Sequence, residues 1–160
     1  MKWPLIPFAM LCFSHMAMAC RLAPMNFFRE HGDLIAEASV IVLAEAVVGH
    51  DATSSSCRFR LVRTLKGQAP SDISVSCWPS LAGESTSNLS SHTAPVFWQG
   101  RMGRVTYGIT CRLLPPVFTV GHKYLLILGV EPDTKQFEEI VEPNDKWLLF
   151  IEQHLQQDER

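Results

Sequence analysis

Residues 57–77 read CRFRLVRTLKGQAPSDISVSC, and this stretch decides the fold prediction. Apolar and polar residues alternate from residue 57 to 61 and again from 73 to 77, which is typical of two half-buried strands. Lys66–Pro70 has the composition of a turn, so the stretch is predicted to be a β-hairpin folded about Gly67. In this hairpin three pairs of residues are expected to lie opposite each other, all on the same face of the sheet: Leu61 with Ile73, Phe59 with Val75 and Cys57 with Cys77.

The first residues of the chain have the pattern of a secretory signal peptide, assigned to residues 1–19. Lys2 precedes a short apolar run, Leu5–Phe13, and Ala17-Met18-Ala19 forms a small-x-small cleavage site directly before Cys20. The run is too short to span a bilayer, so we predict export to the periplasm or the medium. Lipidation of Cys20 is the alternative, and it would make the protein a membrane-anchored lipoprotein.

The cysteines that remain after export are even in number, which is typical of a disulfide framework. A one-residue slip of the hairpin would place apolar side chains opposite polar ones, so the pattern favours the register that pairs Cys57 with Cys77. We therefore predict this disulfide, and the second pair that remains is Cys20 with Cys111.

The mature chain is one domain in length and mildly acidic. The full sequence has 14 basic and 16 acidic residues, and removal of Lys2 with the signal leaves 13 − 16 = −3. Nucleic-acid-binding proteins carry a basic surface, so a nucleic-acid partner is not expected. Membrane contact is expected only if Cys20 is lipidated.

The remaining periodic segments predict a mainly β domain with a helix near each end. A nearly uninterrupted β-branched run, Val40–Val48, predicts a strand buried on both faces. Three further strands are predicted at Arg104–Cys111, Lys123–Val130 and Phe137–Val141. A short N-terminal helix is predicted at Asn26–Glu37. Pro143-Asn144 is predicted to cap a final helix, and residues 157–160 to fray. The apolar stripe of that helix is Trp147, Leu148, Ile151 and Leu155.

Several landmarks in order resemble the netrin-like domain, which occurs in tissue inhibitors of metalloproteinases and in small exported bacterial proteins. The landmarks are Glu37–Val47, Arg58–Gly67, and Cys111, Phe118, Gly121, Tyr124 and Leu125. The resemblance implies a five-stranded OB-type (Greek-key) β-barrel at residues 20–156, with a short N-terminal helix and a packed C-terminal helix. It also implies a Cys20–Cys111 disulfide, in agreement with the pair left over from the hairpin. The inhibitors begin Cys-x-Cys, whereas Leu22 stands at the third mature position here.

Residues 79–103 interrupt the pattern and are interpreted as an insertion. Ser80–Thr93 is rich in Ser and Thr and is expected to be exposed. The apolar pair Phe97-Trp98 that follows is a candidate binding site, because exposed aromatic residues mark interaction surfaces. Alternatively, the pair folds back to cover the open end of the barrel.

Motifs for catalysis, metals or cofactors are not found in the sequence. Ser91-His92 has no evident orienting group or oxyanion site, and the adjacent Glu138 and Glu139 would point to opposite faces of a strand. No histidine has zinc-ligand spacing, and each is interpreted as a surface residue or a satisfied one. The five mature histidines are His31, His50, His92, His122 and His154. We therefore predict a protein that is not an enzyme and has no cofactor.

The function predicted from the sequence is that of an exported, non-catalytic binding module with an unidentified protein partner. The partner would meet either the N-terminal ridge around Cys20 or the insertion. The first alternative is a metalloprotease inhibitor, in which the resemblance implies that the amine and carbonyl of Cys20 chelate the zinc of a target protease. The second, less favoured alternative is an uncharacterised hydrolase that uses the insertion.

Peptide mapping without reduction tests the predicted disulfide pairing. The exported protein should give two linked peptide pairs, one joining Cys57 to Cys77 and the other joining Cys20 to Cys111. In the chain-entropy model the two bridges stabilise the fold by about 3 and about 4.5 kcal/mol. A peptide that joins Cys57 to Cys20 or Cys111 would contradict both pairs.

Overall fold

A computed structural model describes residues 30–49, 56–77, 88–99, 116–130 and 136–158 of the chain. These residues form two α-helices, five β-strands and two short 3-10 turns. The helices are α1 (His31–Glu37) and α2 (Lys146–Asp158). The strands are β1 (Val40–Val48), β2 (Ser56–Lys66), β3 (Asp72–Ser76), β4 (Lys123–Leu128) and β5 (Phe137–Glu139). The 3-10 turns are Ser91–Thr93 and Pro95–Trp98.

The strands form one antiparallel sheet in the order β3-β2-β1-β4-β5. The predicted mainly β class is therefore confirmed, with one helix before the first strand and one after the last strand in the chain. The sheet is open within the described part of the chain, since its two edge strands, β3 and β5, are not paired with each other. The strand predicted at Arg104–Cys111 and the helical residues predicted before position 30 lie outside the described residues.

Strand β1 is at the centre of the sheet and is buried on both faces, as its sequence predicts. Ile41 and Leu43 face a cluster formed with the two helices, whereas Val42 and Ala44 face a second cluster that includes Phe59. The register between β1 and β2 shifts at three places. Such irregularities increase the twist of a strand and bend it, so they change the direction of β2, and of β3 paired with it, relative to β1.

The register predicted for the β2–β3 hairpin is wrong by two residues. Phe59 pairs with Ile73 and Cys57 pairs with Val75, so Cys77 lies just beyond the end of β3. Because strand side chains alternate with a period of two, a two-residue shift leaves the same side chains on the same face, and the apolar pattern cannot detect it. Gly67 lies in the predicted connection between β2 and β3 with a φ of +71°, and it also packs closely against the start of β1, where an added Cβ would be 2.2 Å from the carbonyl oxygen of Ser39.

Helix α2 packs on the sheet through the predicted stripe. Trp147, Leu148 and Ile151 are buried and Leu155 is half-buried against the same cluster. The predicted cap is wrong, however. Asp145 is the residue whose side chain accepts hydrogen bonds from the first turn of the helix, and Pro143-Asn144 precedes it. The helix also continues through Asp158, two residues past its predicted end.

Two adjacent leucines of α2 allow a matched test of this packing. Leu148 is 4% exposed and Leu149 is 38% exposed. Leu148→Ala should lower the free energy of unfolding by about 2–4 kcal/mol because it opens a cavity under the helix. Leu149→Ala should lower it by less than about 1 kcal/mol. Urea denaturation measures both, and equal losses would show that α2 does not pack as described.

Candidate functional site

Residues 88–99, here called the docked segment, are packed against the sheet and α2. The sequence pattern predicts that Ser80–Thr93 is exposed, and this prediction is wrong at two positions of the portion that the structure describes. Leu89 and His92 are both buried, and the backbone N–H of Glu139 in β5 donates to the carbonyl oxygen of Leu89 at 2.6 Å. The expectation failed because the segment is held by polar side chains, which an apolar pattern does not reveal. Residues 78–87 lie outside the described part of the chain.

The centre of this packing is His92, which lies between two carboxylates. Its Nδ1 is 3.0 Å from Glu138 Oε2, and its Nε2 is 2.9 Å from Asp145 Oδ2. The side chains of His92 and Glu138 are 2% and 0% exposed, and that of Asp145 is 10% exposed. An imidazole can donate from both nitrogens only when it is protonated, and an ionised carboxylate can only accept. The geometry is therefore that of a buried imidazolium between two anions.

The electrostatics of the cluster favour the charged imidazolium. Burial disfavours a charge and by itself would lower the pKa of His92, but the hydrogen bonds and negative charges of Glu138 and Asp145 outweigh it. The pKa of His92 is therefore raised above its ordinary value. Because a raised pKa means that protons bind more tightly to the folded state, the contribution of His92 is fully present below 6.5 and is lost as the pH rises through the folded-state pKa, provided that both carboxylates are ionised.

Each carboxylate also accepts hydrogen bonds from groups other than His92. Asp145 Oδ1 accepts from the backbone N–H groups of Trp147 and Leu148, at 2.8 and 3.3 Å, and so caps α2. Glu138 Oε1 accepts from the Ser91 hydroxyl at 3.1 Å. The cluster thus joins β5, the docked segment and the beginning of α2 through hydrogen bonds to three side chains.

The arrangement is not that of a Ser–His–acid catalytic triad. In a triad the serine hydroxyl donates to one histidine nitrogen while a carboxylate holds the other. Here both nitrogens of His92 face carboxylates, and the hydroxyl of Ser91 donates to Glu138 instead. A metal-binding group of three or more His, Cys, Asp or Glu residues is likewise not found in the described residues.

Phe97 and Trp98, the predicted aromatic binding pair, have different environments. Phe97 is 1% exposed, and its ring contacts Trp147 edge-to-face at 5.3 Å between centroids. It therefore packs in the core rather than serving as an exposed contact. Trp98 is half-buried, its indole N–H donates to the carbonyl oxygen of His92 at 2.8 Å, and Lys146 Nζ lies 4.1 Å from its ring centroid.

The predicted cysteine sites are described in part. Cys57 and Cys77 form a disulfide with a Cα–Cα distance of 5.7 Å, and both are fully buried. The predicted pairing thus coexists with the shifted register, because Cys77 follows the last residue of β3 and reaches diagonally toward β2. Cys20, a candidate binding residue, and Cys111 lie outside the described residues.

Sequence reasoning missed the His92–Glu138–Asp145 cluster, although one signal points to it. In the predicted strand Phe137–Val141, Glu138 and Ile140 lie two positions apart and therefore share a face, which the apolar Ile140 indicates is buried. A carboxylate on a buried face needs a partner, and a histidine elsewhere in the chain is a natural one. The sequence analysis does predict that Glu138 and Glu139 point to opposite faces. In the structure Glu138 meets His92 and Glu139 meets His122.

Comparisons of the chain with protein-family models, curated proteins and solved structures find no match. In the described part of the chain, neither helix has the length and apolar character needed to cross a membrane.

Substitutions at Asp145 separate its two roles. Asp145→Ala removes both the cap and the contact with His92, so the free energy of unfolding should fall by about 2–4 kcal/mol. Asp145→Asn keeps a good capping residue and loses only the negative charge, so its loss should be smaller, about 1–2 kcal/mol. Asn144→Ala, the control at the sequence-predicted cap, should change stability by less than about 0.5 kcal/mol in the same urea titration. A larger loss for Asn144→Ala than for Asp145→Ala would contradict the assigned cap.

Proposed function

We propose that this chain is an exported, non-catalytic interaction module that presents the docked segment to a protein partner. The observation that carries the proposal is that the polar side chains of the His92 cluster are hydrogen-bonded to one another. Both nitrogens of His92 bind carboxylates, and the hydroxyl of Ser91 donates to one of the same carboxylates. A general base needs a nitrogen that can accept a proton from a nucleophile, and an imidazolium bound at both nitrogens has none to offer.

The segment is anchored in a way that suits a recognition surface. His92 and Phe97 point inward, whereas Val96, which lies between them in the sequence, is 55% exposed. The Trp98 indole is held by the carbonyl of His92 and by Lys146, so its orientation is determined before a partner arrives. A preorganised apolar residue beside a half-exposed aromatic ring costs little conformational entropy to bind. We therefore assign the contact surface to Val96 and Trp98.

Two further features belong to the same proposal. The first is an OB-type, netrin-like barrel, which would require β3 and β5 to approach each other; the three register shifts beside β1 support such a curl. The second is export, which rests on the signal-peptide pattern before Cys20 and is supported by the buried Cys57–Cys77 disulfide. Because of the resemblance, inhibition of a metalloprotease stays the alternative function. It would use Cys20 and not the docked segment.

Site-specific photocrosslinking tests the assigned surface in the full chain expressed in its native host. A photoreactive residue at Val96 should give a discrete crosslinked product, because this position would touch the partner. The same residue at Val62 in β2 is the control, since Val62 is 46% exposed and thus comparably accessible. Trp98→Ala combined with the Val96 probe should reduce the product severalfold, and because Trp98 also packs on the helix-side core, circular dichroism should first establish that the variant is folded at the temperature of the experiment.

The outcomes separate the proposed function from its alternatives. Equal products from Val96 and Val62, or none from Val96, would contradict the docked segment as the contact surface. The mass of the N-terminal peptide in the same sample identifies the state of Cys20. A diacylglyceryl group there would exclude the inhibitor alternative, and an uncleaved residue 1–19 segment would contradict export.

A further inference from the structure

We propose that His92, Glu138 and Asp145 form a pH-sensitive latch that holds the docked segment closed at acidic and neutral pH and releases it as the pH rises. The latch is built from a buried imidazole placed 3.0 and 2.9 Å from two carboxylates. It connects three parts of the fold that are far apart in sequence: the docked segment, β5 and the N-terminus of α2. This inference does not depend on the proposed function.

Deprotonation removes a hydrogen bond that the geometry cannot replace. A neutral imidazole has one N–H and one lone pair, so one of its nitrogens would face a carboxylate oxygen without a proton between them. Two acceptors at about 3 Å repel each other and are both desolvated, which is unfavourable in a buried site. The closed arrangement is therefore complete only when His92 is charged.

The contact with Asp145 is the one that opens. The side chain of Glu138 is fully buried, so water cannot replace the hydrogen bond that His92 donates to it. That of Asp145 is partly exposed and retains the backbone N–H groups of α2 as partners. The remaining proton should therefore stay on Nδ1, facing Glu138, and the bond between His92 Nε2 and Asp145 should break. The docked segment then loses its hydrogen bond to Asp145 at the start of α2.

Other charged or titratable groups surround the docked segment. Lys146 from the first turn of α2 contacts Trp98, and His31 from α1 bonds through Nε2 with the carbonyl oxygen of Phe97 at 2.8 Å. Glu139 in β5 points the other way, toward His122. His31 is thus the second histidine in contact with the segment, and an experiment has to distinguish it from His92.

The sign of the pH dependence follows from the direction of the pKa change. The pKa of His92 is raised in the folded state because its two carboxylate partners outweigh burial. The stabilisation is therefore fully present below the ordinary value of 6.5 and is lost as the pH rises through the folded-state pKa. A latch that tightened with rising pH would instead require the pKa of His92 to be lowered in the folded state.

Amide hydrogen exchange read by mass spectrometry tests the latch in the full chain. Between about pH 6 and about pH 9, protection factors for residues 88–99 should fall by about tenfold or more, the equivalent of one lost charge-assisted hydrogen bond. Protection of β1, corrected for intrinsic exchange in the same way, should fall much less. Unchanged protection of the docked segment across this range would overturn the proposal.

Three glutamine variants assign the effect to one histidine. His92→Gln should remove the pH dependence, because an amide does not titrate. His31→Gln and His122→Gln, the first in contact with the segment and the second exposed, should keep the wild-type fall. If His31→Gln removes the dependence and His92→Gln keeps it, the latch is assigned to the wrong residue.

If the His92→Gln variant does not fold, a pH titration of the wild-type protein still tests the proposal. In an NMR titration, the ring protons of His92 and the indole N–H of Trp98 should shift with one shared midpoint, because that indole donates to the carbonyl oxygen of His92. The midpoint should lie above 6.5, the ordinary value for histidine. A midpoint below it, or an indole signal that does not follow His92, would also overturn the proposal.

Discussion

A single buried imidazole makes the docked segment part of the fold. His92 binds Glu138 in β5 and Asp145 before α2, and the same Asp145 satisfies the first backbone N–H groups of that helix. Burying two carboxylates is costly unless a positive charge and hydrogen bonds compensate, so the three side chains depend on one another. Asp145 therefore connects the docked segment to the first turn of α2, the helix that carries the buried Trp147.

This constraint explains why a polar, serine-rich segment packs as it does. Residues 88–99 contribute only a few apolar anchors, chiefly Leu89 and Phe97, to the two clusters of the core. The remaining attachment is polar: the network around His92 and the Trp98 indole bond. Polar attachment is directional and sensitive to charge, whereas apolar burial is neither. An interaction surface built on such a segment can therefore be held firmly and still respond to its solution environment.

The edges of the sheet show a second consequence of the docked segment. The backbone of β5 donates to Leu89, so the docked segment covers part of this edge. An uncovered edge strand can pair with another chain, and covering it with a loop is one way in which proteins prevent aggregation. In the described part of the chain, the segment therefore has two structural roles: it completes the helix-side core through Phe97 and it protects an edge strand.

The sequence by itself determined the local features that have a period or a composition: the bounds of β1, the stripe of α2, the two hairpin strands and the Cys57–Cys77 pairing. It could not determine the hairpin register, because a shift of two residues preserves every face of a strand. Nor could it show that Asp145 replaces Asn144 as the cap, or that His92 meets Glu138, 46 residues further along the chain. Those contacts depend on where distant elements meet in space, and a single buried charge pair leaves no periodic trace in a sequence. Only the tertiary structure decided that residues 88–99 of the apparent insertion are docked and that Phe97 is part of the core.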